Sequence, residues 1–254
     1  MTSSSVDNYN FRQSPWFSPH VIIKGVNALG QVYGQHLTDK GEFQKPREMF
    51  DGAVALVGAY LLHPSNQFFM QPNFQNIAPD VMAVKLAEQK EGPITLEVSQ
   101  MEIVTMNEHA ETKNVAEFLL ETKLSSKKSY EDSTIIVCSV NLNIELNSRK
   151  IAEELKKFNP KHTVYILGKV EGGEDIWTIF SPWPRLTKLI TFSLSETLKS
   201  YHLPDSLSLH RGLDRKISYT EPMKVTITSY ELFGIDQKKV ERYKKSQTSH
   251  TSLA

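Results

Sequence analysis

The sequence predicts an α/β protein, with a mixed central β-sheet and helices packed on both of its faces. Three observations carry this expectation. From residue 47 the segments run helix, strand, strand, strand, helix, strand, helix, strand, the alternation of a layered α/β sandwich. The runs Ser133–Val140 and Thr163–Val170 are almost continuously apolar, as strands covered on both faces must be. The segment Arg47–Leu62 carries apolar residues round most of its circumference, so it is expected to be a helix buried against a sheet.

Each element has its own signal. Pro46 suits the first turn of a helix, and His63-Pro64 ends that helix. Gln67–Gln71 and Asp80–Leu86 read as strands, the second entered through Ala78-Pro79. Gly92-Pro93 makes a turn, and Ile94–Thr105 follows as a strand in which Ile94, Leu96 and Val98 alternate with Thr95, Glu97 and Ser99. Glu108–Leu124 is the next helix, with Val115, Phe118 and Leu119 on one face. Asn147 or Ser148 caps a helix that runs to Phe158. Gly168–Gly173 reads as a hairpin turn into a strand at Asp175–Phe180. A strand at Leu186–Leu194 and a short helix at Ser195–Tyr201 complete the core. The first fifteen residues read as a loose arm, docked through Pro15-Trp16-Phe17 and Val21-Ile22-Ile23, and Gly25–Gly41 shows no clear periodicity. The domain expectation is an arm at 1–40, an α/β core at 41–204, and an extension at 205–254. That extension has one strand, Lys224–Tyr230, and a basic tail, Lys238–Lys245.

Composition narrows the function classes. Lys+Arg and Asp+Glu are both 29, so the chain is not a globally basic nucleic-acid coat, although a local basic groove remains open. The single cysteine, Cys138, excludes an intramolecular disulfide framework and a cysteine-based zinc cage; inside an apolar strand it reads as a core residue. No run approaches the ~20 apolar residues that span a bilayer. A polar N-terminus without a basic and then apolar leader adds the expectation of a soluble, cytoplasmic protein with no membrane partner. Neither a Gly-x-Ser-x-Gly elbow nor a Walker A loop is present.

The informative constellation is Pro79-Asp80, followed seventeen residues later by Glu97. If their strands form a hairpin, the two carboxylates can converge at one end of the sheet. Glu97 sits between Leu96 and Val98, where a carboxylate is costly unless something pairs with it. Two such groups on rigid strands can hold Mg²⁺ or Mn²⁺ with open positions for water and phosphate. Plainer roles stand beside these. Asp80 can cap a turn, Glu97 can pair with Lys85 across a solvated face, and Asp51 can be a first-turn acid favoured by the helix dipole.

This arrangement resembles the PD-(D/E)xK superfamily, the restriction-endonuclease-like fold, over roughly Pro46–Phe158. Phe50-Asp51 matches the family's acid-bearing helix, Pro79-Asp80 its first motif, and Leu96-Glu97-Val98-Ser99 its second. Glu108–Leu124 and Ser133–Val140 match the helix and apolar strand that follow. The resemblance implies a three-layer sandwich and a nuclease that hydrolyses phosphodiester bonds, in DNA in preference to RNA. It implies Mg²⁺ or Mn²⁺ held by Asp80 and Glu97, with Asp51 supporting a second ion or a bound water. The family lysine falls at Ser99, so Gln100, or Lys113 on the next helix, is expected to position the nucleophile. His109 and His63 are further candidates to approach the metal. Nucleic acid is the implied partner, and a homodimer or larger nucleoprotein complex would serve cleavage of two strands. Ser99 equally fits a nuclease-like domain without catalysis, acting as a nucleic-acid or protein scaffold. In an unrelated α/β protein, Asp80 and Glu97 would lie far apart.

Overall fold

The computed structural model describes residues 15–34, 43–72, 79–87, 95–125, 130, 133–173, 175–201, 203–211, 217–220, 232–233 and 238. The Gly92-Pro93 turn, the strand at Lys224–Tyr230 and the basic tail beyond Lys238 lie outside these residues.

The α/β expectation holds. A single mixed sheet runs β10-β9-β1-β2-β3-β4-β5-β6-β7-β8. Its strands are β1 (Trp16–Phe17), β2 (Asn66–Pro72), β3 (Val81–Ala87), β4 (Thr95–Met106), β5 (Ile135–Val140), β6 (Thr163–Lys169), β7 (Ile176–Trp183), β8 (Ile190–Ser193), β9 (Ser206–Arg211) and β10 (Ile217–Thr220). β2, β3 and β4 form an antiparallel meander, whereas β4, β5 and β6 are parallel. A parallel step needs a crossover, and helices supply both. Helix α3 (Val115–Leu119) lies between β4 and β5, and α4 (Ser148–Phe158) between β5 and β6.

Two apolar clusters sandwich the sheet. On one face lie α1 (Pro19–Tyr33), α2 (Gln44–Leu62) and Leu194 of α5 (Leu194–Ser200), packed over Met70, Val81, Met101, Ile103, Val137, Leu167 and Ile179. On the other, α3 and α4 cover Met106, Ile136, Cys138, Val164, Ile166 and Phe180. Cys138 is fully buried, as a core residue should be, and burial raises its thiol pKa. Helix α2 is apolar nearly all round because it is buried on two sides, by the sheet below and α1 beside it.

Several expectations change. The stretch from Gly25 that shows no periodicity belongs to α1, whose stripe Ile22, Ile23, Val26, Leu29, Tyr33 is buried. The helix expected at Glu108–Leu124 begins only at Val115, where Asn114 caps it by accepting from the amides of Ala116 and Glu117. It then widens into a π-helical turn, Leu120–Leu124. The strand expected from Leu186 narrows to β8, because the chain first turns through Pro184. The boundaries at 40 and 204 are not breaks in the sheet. β1 of the arm pairs with β2 on one side and β9 of the extension on the other.

Candidate active site

The β3–β4 register decides which acids meet. Val81 stands opposite Met101 and Lys85 opposite Glu97. Asp80 precedes Val81 by one residue, so its neighbour across the hairpin is Glu102. The Asp80 carboxylate is fixed there by the Ile103 amide, which donates to Oδ2 at 2.9 Å.

Two lysines close on this pair. Lys123 Nζ lies 2.6 Å from Glu102 Oε2 and 3.7 Å from Asp80 Oδ2. Lys45 Nζ lies 2.8 Å from Asp80 Oδ1 and 3.0 Å from Glu48 Oε2. Lys45 and Glu48 come from the first turns of α2, and Lys123 from the π-helical turn after α3. Such widened turns recur at functional sites because they displace a side chain from its α-helical position. Helices from both faces of the sheet therefore reach round its end to one cluster of three carboxylates and two ammonium groups. Tyr130 adds a hydroxyl on Glu102; burial first, then the charges of Glu102 and Asp80, raise its pKa.

The cluster is nearly closed to solvent. The Glu102 side chain is 5% exposed, and its Oε1 has no hydrogen-bond partner. A buried carboxylate oxygen left without a donor is costly. A cation placed against it removes that cost, so the residues present fit a divalent ion. Among the described residues no set of three or more His, Cys, Asp or Glu side chains is arranged to hold a metal. The fit therefore rests on two carboxylates, Asp80 and Glu102. Burial works against the charge on Lys45, but the hydrogen bonds and charges of Asp80 and Glu48 outweigh it and raise its pKa.

The residues expected from the sequence are placed as follows. Asp80 is in the cluster. Glu97 is not: its side chain is 62% exposed and forms an ion pair with Lys85, the plainer of its two expected roles. It stands five strand positions from Asp80, about 17 Å at ~3.3 Å per residue, too far to share an ion. This corrects the expected metal pair, and with it the significance of Ser99. With Glu102 as the strand acid, the family lysine position becomes Val104. Gln100 is buried two residues before Glu102, hence on the same face of β4. The β3–β4 ladder is unbroken there, so the bulge invoked for Gln100 is absent. Lys113 is exposed in the loop before α3, and Lys123 is the helical lysine at the site instead. Asp51 is buried beneath α2, where it accepts from Thr105 Oγ1 at 3.4 Å and bonds Ser139. It contacts β4 and β5 on the α2 face, and no ion pair joins it to Asp80 or Glu102 among the described residues. Burial, opposed by those two hydrogen bonds, raises its pKa to about 6. His109 is exposed beside Glu108, and His63 is the C-cap of α2, at the opposite end of that helix from Lys45.

Sequence reasoning missed Glu102, Lys123, Lys45 and Glu48. One signal was available. A turn at Gly92-Pro93 sets Asp80 opposite a residue near 102, whereas Glu97 is far too close to that turn. The lysines had no comparable signal, since they reach the site through tertiary packing.

Fold and site together define an α/β protein whose mixed sheet carries a buried carboxylate–lysine cluster at a strand end. No protein-family model, curated protein or solved structure gives a significant match to this chain.

Proposed function

We propose that this protein is a divalent-metal-dependent nuclease of the PD-(D/E)xK type, with a restriction-endonuclease-like core built from α2, β2–β5 and α3. The observation that carries the proposal is the buried Asp80–Glu102 pair with Lys123 across it and Glu102 Oε1 unpartnered. The element order supports it: an acid-bearing helix, an antiparallel hairpin with both strand acids, a helix, then a parallel strand. Helix α2 supplies Glu48 in the role expected of Asp51.

Asp80 and Glu102 would hold Mg²⁺ or Mn²⁺. An ion there acts as a Lewis acid on a phosphoryl oxygen and makes water a stronger nucleophile. The chain's own groups do the rest. The Lys123 ammonium lies against both acids, where it can orient the attacking water and offset charge on the phosphate. The Ile103 amide fixes the Asp80 carboxylate and so its direction. Tyr130 holds Glu102 from the far side. Val104 cannot supply a charge, and Lys123 takes the part of a lysine moved onto the following helix. The substrate is nucleic acid, DNA first.

The test is cleavage of plasmid, single-stranded DNA and RNA with Mn²⁺ or Mg²⁺. Glu102→Gln and Asp80→Asn should each reduce the rate about 100-fold or more, since they remove ligands of the ion. Glu97→Ala should cleave at the wild-type rate. Cleavage that survives Glu102→Gln refutes the assignment. No cleavage by the wild type, together with no Mn²⁺ binding by calorimetry, would leave a nuclease-like scaffold.

A further inference from the structure

Asp80 faces two cations with its two oxygens: Lys45 at Oδ1 and Lys123 at Oδ2. Two-metal phosphodiesterases use one carboxylate in this bridging way, between ions ~3.5–4 Å apart. The two positions differ here. Around Lys123 the coordination is loose: one contact is 3.7 Å, and Glu102 Oε1 has no partner. Around Lys45 it is complete. Its Nζ bridges Asp80 and Glu48 at 2.8 and 3.0 Å, and the other Glu48 oxygen accepts from Gln44 Nε2 at 2.8 Å.

Lys45 also breaks a local rule. It lies in the first turn of α2, a turn with no acidic residue, where the helix dipole disfavours a positive charge. A residue that violates its local preference, and is compensated only by tertiary partners, marks a functional demand. Its side chain is 21% exposed, so the ammonium is open to an incoming phosphate.

We propose that Lys45 is a built-in second cation: the site takes one divalent ion, between Asp80 and Glu102, and the Lys45 ammonium occupies the position of the second. This rests on the nuclease reading. A point charge with three donors can bind a phosphate oxygen as the second ion would. Removing that charge while leaving Asp80 and Glu48 in place creates a vacant two-carboxylate position for another ion.

Calorimetric titration with Mn²⁺ tests the idea without relying on activity. Wild type and Lys45→Arg should each bind one ion. Lys45→Met should bind two, and Lys45→Met/Glu48→Gln one again. Far-UV circular dichroism establishes that each variant is folded. In cleavage assays Lys45→Met should lose at least tenfold at low Mn²⁺ and recover part of that loss at high Mn²⁺, while Lys45→Arg stays near wild type. Two ions in the wild type, or one in Lys45→Met, would overturn this proposal and leave the nuclease reading standing. No ion in the wild type would remove both. Should Lys45→Met fail to fold, the wild-type stoichiometry together with that of Glu48→Gln decides: one ion in each supports the proposal, and any wild-type count above one refutes it.

Discussion

Asp51 lies beneath α2 with its carboxyl against Thr105 and Ser139, and burial raises its pKa from 3.8 to about 6. The sign of its effect on stability follows directly. Between those two values the folded state keeps a proton that the unfolded chain has released. Stability is therefore full below pH ~4 and is lost as pH rises through 6, by about 3 kcal/mol at full extent. Asp51→Asn keeps a side chain that can bond both hydroxyls and never ionises. It should unfold at higher urea than the wild type at pH 8 and near the wild-type midpoint at pH 4. Parallel midpoints for the two proteins across that range would refute the account. The same residue shows what was legible in the site. Phe50-Asp51 on a helix before the hairpin was visible, but the acid that reaches the strand end is Glu48, one turn earlier. Composition makes Glu97 and Glu102 alike, since apolar neighbours flank both: Leu96 and Val98, Met101 and Ile103. Only strand register separates them, and register depends on a turn geometry that residue types constrain loosely.

Helix α2 carries two glycines whose surroundings predict opposite effects. A Cβ on Gly52 would meet Ile103, Met70 and Val81 at 3.5–3.8 Å, ordinary packing distances. Gly52→Ala should therefore stabilise by about 0.5–1 kcal/mol through helix propensity. A Cβ on Gly58 would lie 2.6 Å from Ile179 Cγ2. Gly58→Ala must push α2 off β7 and should destabilise by about 1–3 kcal/mol. Urea midpoints of the two variants check the pair, and equal shifts in one direction would contradict this packing. At this scale the sequence was legible wherever one periodicity ran undisturbed. α2, β5, α4 and β6 were found because their apolar patterns are long and continuous. α1 was missed because Gly25, Asn27 and Gly30 interrupt its stripe with residues that read as loop. Gly25 is small for a reason visible only in three dimensions: Leu232 and Phe233, over two hundred residues later, pack onto it. The loop before α3 was read as helix because Asn114, its cap, sits among residues with adequate helix propensity.

At the scale of the molecule, the sheet is held together by its shortest strand. β1 has two residues, yet it alone joins β9 and β10 to the rest. Phe17 pairs with Met70 of β2 and with Ser206 of β9, and the Ser18 amide donates to the Asp205 carbonyl at 2.9 Å. Trp16 is fully buried against Phe69, Met82 and Leu207 on the face that no helix among the described residues covers. The indole thus replaces a helix as the cover for that half of the sheet. An arm that merely rested on the surface could be removed with little effect. A strand inserted between two others cannot, because its removal bares the edges of β2 and β9 together and leaves a Trp-sized void. Trp16→Ala should destabilise by about 3–5 kcal/mol. Deleting residues 1–18 should lower the urea midpoint further and raise light scattering, as unpaired edges associate between molecules. A truncated chain with wild-type midpoint and no scattering would mean that β9 and β10 are held by something other than β1. Neither strand carries a residue of the Asp80–Glu102 cluster, so Trp16→Ala that remains folded should still bind Mn²⁺. Metal binding that failed with the sheet edge would instead tie the site to the far side of the fold.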